Sequence, residues 1–237
     1  MSALRESFNP LIAFPKKITF NEHDESIIIS HRFLSKECCL KIIQFCEEFA
    51  SSEEQWQNED DSVYPQATFD LEVEKNHGLV SYIRIIKLLS AIDLIYKLHY
   101  NQTINSFDDV FVVKYQAIGD RVKPELIEHI DAGDISFMIA LSERGVDYSG
   151  GGTYFRVTDS VVHLNQGDMI TFDAKLYHGG VKITSGVRYL LVGFCHTDNH
   201  ESVRISSNPP ASDDIHTDKV ILCKERGNLS KSLQCLY

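Results

Sequence analysis

The chain has 237 residues, of which 43% are hydrophobic and 10% aromatic. That composition excludes disordered and fibrous classes and is enough for one sizeable domain or two small ones. The formal net charge of −11 argues against a general nucleic-acid binder, whose backbone contacts need Lys and Arg; it suits a basic partner such as a Lys-rich peptide through long-range steering.

The opening "MSALRESFNPLIAFPKK" holds no apolar run of signal-peptide length. The most apolar long window, 79–98, is interrupted by Arg84, Lys87, Asp93 and Lys97, so no transmembrane span and no membrane partner are expected. Six cysteines, Cys38, Cys39, Cys46, Cys195, Cys223 and Cys235, form no CxxC pair. Free thiols in a reducing compartment, cytoplasmic or nuclear, are the expectation.

Residues 33–50 read as a helix capped by Ser35, with Leu40, Ile43, Phe45 and Phe49 as the apolar stripe. Residues 51–62 are polar and acidic and read as a solvated loop. A single second helix is expected over 79–100, with Arg84, Lys87, Ser90, Asp93 and Lys97 as its polar stripe and a sheet beneath it. From 111 the period changes. The runs "FVVKYQ", "ISFMIALS", "GTYFRV", "SVVHLN", "DMITFDA", "LYHGGVKI" and "VRYLLVGFC" follow one another, punctuated by Gly, Asp, Asn and Ser. Many short strands without intervening helices imply an antiparallel sandwich or jelly roll. The tail 197–219 reads as loop, and the last run, from Lys219 on, as one further strand or helix.

The chemistry concentrates in "EHIDAGDISF", residues 128–137. On a strand, His129 and Asp131 point to one face and can converge on one ion. An imidazole and a carboxylate suit iron, zinc or manganese, but an HxD triplet alone is as ordinary as any surface pair. His178, in "LYHGG", supplies a third ligand. Two histidines and one carboxylate make a facial triad with three open positions on an octahedron. Arg188 lies among Val187, Tyr189, Leu190 and Leu191. Facing inward it needs an anion, and its fork fits a carboxylate; strand alternation also permits it to face outward. Tyr115 could hydrogen-bond a bound acid or be a core tyrosine. "DYSGGGTYF" over 147–155 fits a tight hairpin or a close backbone approach to a ligand. His163, His196 and His200 read as spare histidines, Asp168 as a turn residue, and the acidic run Glu53–Asp61 as solvated surface.

The order HxD, GGGTxF, His, then Gly-x-Arg resembles the iron(II)- and 2-oxoglutarate-dependent oxygenases, in their prolyl and lysyl hydroxylase branch. The nearest likeness is to the catalytic domain of procollagen lysyl hydroxylases. It rests on "YPQATFDLEV", "FVVKY", "HIDAGDISFMIAL", "DYSGGGTYF" and "GVRYLLVGF", and is densest over 64–197. Collagen-type prolyl 4-hydroxylases carry Lys where this chain has Arg188, which moves the likeness away from them.

The resemblance implies a mainly β fold with flanking helices (α+β): a double-stranded β-helix, a cupin-like jelly roll, with N-terminal supporting helices. It implies one domain over 1–237, with a helical support region over 1–105, a catalytic core over 106–197 and a C-terminal extension over 198–237. His129, Asp131 and His178 would hold Fe(II). Arg188 would bind the distal carboxylate of 2-oxoglutarate, assisted by Tyr115, and O2 would be the other cosubstrate, with ascorbate a further candidate. The implied activity is hydroxylation of a protein or peptide side chain, Lys or Pro foremost, with release of succinate and CO2. The alternatives are the same chemistry on a small molecule or free amino acid, a non-catalytic binding module, and a zinc hydrolase, in which Arg188 would have no purpose.

Overall fold

In the computed structural model, residues 18–21, 24–53, 56, 68–119 and 122–197 are described. Most of the acidic loop at 51–62, the motif residues 64–67, the tail beyond 197 with His200, and Cys223 and Cys235 lie outside them. Helix α1 spans Lys36–Glu53. Ser35 starts it: its hydroxyl accepts from the Cys38 amide at 3.3 Å and its carbonyl from the Cys39 amide at 3.0 Å. The expected apolar stripe is displaced. Cys38, Ile42, Cys46 and Ala50, spaced four apart, are the buried face together with Cys39, whereas Leu40 is 51% exposed. Ile43, Phe45 and Phe49 are only half-buried. Buried thiols act here as small hydrophobes and take the inner positions.

The single helix expected over 79–100 is two. Helix α2 spans His77–Ile85 and α3 spans Leu88–Tyr100. Between them Lys87 adopts a left-handed conformation, φ 54°, which a non-glycine residue takes at a cost of roughly 1–2 kcal/mol. The break lets Ile83, Ile86, Leu88 and Leu89 all reach the core. Asp93, from the polar stripe, accepts from the Ile104 amide at 2.8 Å and so fixes the start of the next strand.

Among the described residues there are twelve strands, in chain order: β1 Ile18–Asn21, β2 Asp24–Ser30, β3 Phe69–Glu72, β4 Ile104–Gln116, β5 Leu126–His129, β6 Ile135–Ala140, β7 Tyr148–Gly150, β8 Thr153–Phe155, β9 Ser160–Val162, β10 Met169–Asp173, β11 His178–Gly180 and β12 Ile183–Thr197. They form a large antiparallel sheet, order β1-β2-β10-β6-β12-β4-β3, and a small one, β5-β11-β8-β9. Strand β7 pairs with the first residues of β12. Thus the region expected as helical support also supplies β1, β2 and β3 to the large sheet.

Alternation along the large sheet sorts its side chains into two cores. Val112, Phe137, Ile139, Met169 and Leu191 face the three helices. Val113, Tyr115, Met138, Ile170, Phe172, Leu190 and Val192 face the space between the sheets. Arg188 shares the parity of Leu190 and is 2% exposed, so the inward alternative holds. The four described cysteines are free and buried, and among the described residues no helix is long and apolar enough to cross a membrane.

Candidate active site

The small sheet brings the two histidines together. His129 ends β5 and His178 begins β11, and the two residues are direct partners across the antiparallel pair. Their ring centroids lie 4.5 Å apart. Asp131 is not on the strand, contrary to the sequence expectation, because β5 ends at His129. It sits in the following loop, where its amide donates to the Ala174 carbonyl at 2.9 Å. Gly133, at φ 76°, allows that loop to turn; a Cβ there would lie 2.7 Å from the Cys195 carbonyl oxygen. The loop therefore does what the strand period was expected to do.

The donor atoms converge. Asp131 Oδ1 is 3.4 Å from His129 Nε2, and Oδ2 is 3.4 Å from His178 Nε2. One ligand atom from each residue lies within 4.8 Å of the others, and this is the one such group among the described residues. Each Nδ1 lies beside the carbonyl two residues earlier: His129 with Ile127 at 2.8 Å, His178 with Leu176 at 3.0 Å. A carbonyl only accepts, so both Nδ1 atoms carry the proton. Both Nε2 lone pairs then point at the shared centre, the arrangement of metal-ligating imidazoles.

The electrostatics of Asp131 and His178 agree. Burial pushes the Asp131 carboxyl up, but His178, His129 and the Ser136 hydroxyl outweigh it and hold the group below its usual range. Burial lowers His178, which keeps it neutral. His129, also pushed down by burial, is raised on balance by the Asp131 carboxylate. Two imidazoles and one carboxylate fit iron, zinc or manganese. The rings of Phe155 and Phe172 close around His178 at 5.9 and 4.7 Å, making the wall of the site apolar.

The other end of the site is built on β4 and β12, where Arg188 and Tyr115 are direct partners. The guanidinium carbon lies 5.2 Å from the Tyr115 ring centroid and 6.0 Å from that of Tyr148. Arg188 Nη1 donates to the Gly152 carbonyl at 2.9 Å, and Nη2 reaches the Thr153 hydroxyl at 3.4 Å. Its Nε is buried without a hydrogen-bond partner. Among the described residues no carboxylate pairs with it. A buried cation with one idle donor fits an anionic ligand. Burial raises the Tyr115 phenol to about 12, against the opposing pull of Arg188, so it stays a hydrogen-bond donor. Gly180 makes room for it: a Cβ there would lie 2.3 Å from the Tyr115 hydroxyl oxygen. Since Gly180 is two residues past His178, the two ends of the site meet on β11.

Five expected residues, His129, Asp131, His178, Arg188 and Tyr115, thus line one interior. The triple-glycine run does more than turn the chain, because the Gly152 carbonyl orients Arg188. Asp168 behaves as a turn residue, accepting from the Arg32 amide at 2.8 Å and from the Asn165 amide at 3.1 Å. His196 lies apart, paired with Asp108 at 2.6 Å and Asp134 at 3.3 Å. Sequence reasoning missed Ser136, Thr153 and Gly180. Ser136 left one trace: a hydroxyl inside an otherwise apolar strand needs a partner.

No family model matches the chain. In sequence it is similar to procollagen-lysine,2-oxoglutarate 5-dioxygenase 1 of Bos taurus, 38% identical over 91 residues, covering 37% of this chain and 12% of the relative. The Rattus norvegicus protein of the same name is 35% identical over 132 residues, 54% of this chain and 16% of that protein. The chain therefore spans less than a fifth of the relatives it matches. Among solved structures, a viral collagen prolyl hydroxylase from Paramecium Bursaria Chlorella virus-1, in a 2OG complex, gives a TM-score of 0.51 at 16% identity, covering 72% of this chain and 94% of that one. A Trichoplax adhaerens prolyl hydroxylase, solved with a hypoxia inducible factor peptide fragment, gives 0.52 at 15% identity over 72% and 83%. In sequence the chain is thus similar over part of its length to procollagen-lysine dioxygenases, and its fold is similar to that of solved prolyl hydroxylases.

Proposed function

We propose that this chain carries an Fe(II)- and 2-oxoglutarate-dependent oxygenase site that hydroxylates a side chain of a protein or peptide. One observation supports the reading above the others: a buried His-Asp-His cluster and a buried arginine with an idle Nε line the same interior. The triad alone would serve a zinc hydrolase equally well. Arg188 adds a binding point for an acid that a hydrolase does not need.

His129 Nε2, His178 Nε2 and the Asp131 carboxylate would hold the iron, and Arg188 with Tyr115 would hold the far carboxylate of 2-oxoglutarate. When bound, the metal and its cosubstrate would supply the oxidising power: substrate C–H, O2 and 2-oxoglutarate give substrate C–OH, succinate and CO2. The chain's own residues bind, orient and keep out water. The carbonyls of Ile127 and Leu176 fix both imidazole tautomers. Gly152 and Thr153 aim the guanidinium. Phe155 and Phe172 dry the wall beside His178. Two observations support a peptide substrate: the names of the sequence relatives, which specify procollagen lysine, and the acidic net charge of the chain, which favours basic partners. Residues 1–237 are read as one catalytic unit, placed in the cytoplasm or nucleus.

The test is incubation of the protein with Fe(II), ascorbate, 2-oxoglutarate and a library of Lys- and Pro-containing peptides. The expected result is succinate together with a peptide mass gain of one oxygen. Succinate formed only with small amines or amino acids would move the substrate class. No succinate from a protein that binds iron would overturn the reading.

A further inference from the structure

We infer that Ser136 is a positioning residue which keeps Asp131 a one-oxygen ligand and so preserves the third open position at the metal. The inference rests on the iron site proposed above and concerns a residue outside the triad.

Both oxygens of Asp131 face an imidazole at the same distance: Oδ1 lies 3.4 Å from His129 Nε2, and Oδ2 lies 3.4 Å from His178 Nε2. Nothing in the triad itself prevents the carboxylate from gripping an ion with both oxygens. Two histidines and a two-oxygen carboxylate would take four of six octahedral positions. A two-point chelate such as 2-oxoglutarate would then fill the remaining pair and leave none for O2. With one carboxylate oxygen bound, three positions stay open.

Ser136 breaks the symmetry. Its hydroxyl donates to Asp131 Oδ2 at 2.5 Å. This is a charge-assisted bond, short and about twice as strong as a neutral one. It draws charge toward Oδ2 and leaves Oδ1 as the better donor. The bond is also built in. Ser136 is fully buried, and its neighbours in register are Phe172 on β10 and Phe194 on β12. Strand parity turns it to the interior, with Met138 and Ala140 on the same side of β6. The Asp131 backbone is held independently, its amide by the Ala174 carbonyl at 2.9 Å and its carbonyl by Lys175 Nζ at 3.2 Å. With the main chain held, the Ser136 bond restrains rotation of the carboxylate about its own axis.

The experiment uses the whole chain loaded with Co(II), whose visible bands report coordination number without turnover. Wild type, Ser136→Ala, Ser136→Thr and His178→Ala are titrated with Co(II) and then with 2-oxoglutarate. Wild type should bind Co(II), and His178→Ala should lose it; equal binding by these two would overturn the iron-site reading itself. Ser136→Ala should shift Co(II) affinity by roughly 10-fold, the low end of the 10–100-fold typical for outer-sphere partners. Its Co(II) spectrum should also change in shape, because the carboxylate now binds through both oxygens. Ser136→Thr, which keeps the hydroxyl, should restore both affinity and spectrum. Wild-type spectrum and affinity in Ser136→Ala, with the triad dependence intact, would overturn the role of Ser136 alone. An altered spectrum in Ser136→Ala that Ser136→Thr fails to restore would likewise overturn it, since packing rather than the hydroxyl would then be responsible.

Discussion

The two sheets that face each other across the site are built on different principles. The small sheet consists of strands of three and four residues, β5, β11, β8 and β9. The large sheet rests on β4 and β12, of 13 and 15 residues, paired over most of their length. It is backed by helices α1, α2 and α3. The small sheet and its loop carry the triad, and each triad residue is aimed by a hydrogen bond from outside its own side chain. The large sheet carries Arg188, Tyr115 and Ser136, whose directions follow from strand parity. Side chains that converge within a few ångströms are thus placed by local bonds on a rim of short strands. Groups that must be dry and fixed are placed by a long, helix-backed register.

The comparison breaks first at the rim. Asp131→Ala and His178→Ala should each abolish 2-oxoglutarate turnover, because a triad short of one ligand loses the metal. Succinate assay and metal content together check this, and normal succinate from either variant would remove the metal assignment. On the large sheet, Arg188→Ala should instead spare iron binding and raise the 2-oxoglutarate requirement about 100-fold or more. That corresponds to the roughly 2–5 kcal/mol involved when one partner of a buried charge pair is truncated. Metal titration beside a 2-oxoglutarate saturation curve separates the two sheets. An unchanged requirement would mean that Arg188 does not meet the cosubstrate.

How much of this was legible depended on whether the signal lay in side-chain chemistry or in backbone. The strands of the core from 111 onward were readable because β-rich runs alternate with Gly and Asn turns. The five site residues were readable because their types are rare in apolar strands. The break at Lys87 was invisible: no Gly or Pro marks the left-handed turn, which accompanies the burial of Ile86 and Leu88 on either side of it. The inner stripe of α1 was misread because cysteines took positions that Leu and Phe were expected to hold. The strands β1, β2 and β3 were missed because they sit apart from the run of strands and join the large sheet only through distant β10 and β4, β1 and β2 pairing first with each other. The placement of Asp131 in a loop was also beyond reach, since it depends on Ala174 far along the chain.

A finer division concerns the seam where the sheets meet. Gly180→Ala puts a methyl into the Tyr115 hydroxyl, and the large sheet is too well supported to yield. The tyrosine, or β11 itself, should shift instead. Overpacking of this kind costs typically 1–3 kcal/mol, so the 2-oxoglutarate requirement should rise by roughly 10-fold. The metal affinity should change less, because His178 lies two residues away and is held by the Leu176 carbonyl. A larger loss of metal than of 2-oxoglutarate affinity would show that β11, not Tyr115, gives way.

The smallest effect should come from the back of the large sheet. There Glu47 of α1 accepts from Lys114 Nζ at 2.8 Å, from the Tyr189 hydroxyl at 2.5 Å and from Trp56 Nε1 at 3.3 Å. Lys114 and Tyr189 are the outward neighbours of Tyr115 and Arg188, so the network braces β4 and β12 from behind. Partial burial pushes the Glu47 carboxyl up, but Lys114 and Tyr189 outweigh it and set it below 4.5. A depressed carboxyl stabilises the fold at pH values above its unfolded pKa, and the gain disappears as pH falls through the folded value. Glu47→Gln should therefore cost about 1 kcal/mol at neutral pH, after discounting for its partial exposure, or about 2–4 °C in melting temperature. The gap from wild type should close below pH 4.5. The 2-oxoglutarate requirement should stay within about 2-fold, because losing the brace removes well under 1 kcal/mol from the inner face. A melting gap that persists at acid pH would show that shape, not charge, ties α1 to the sheet.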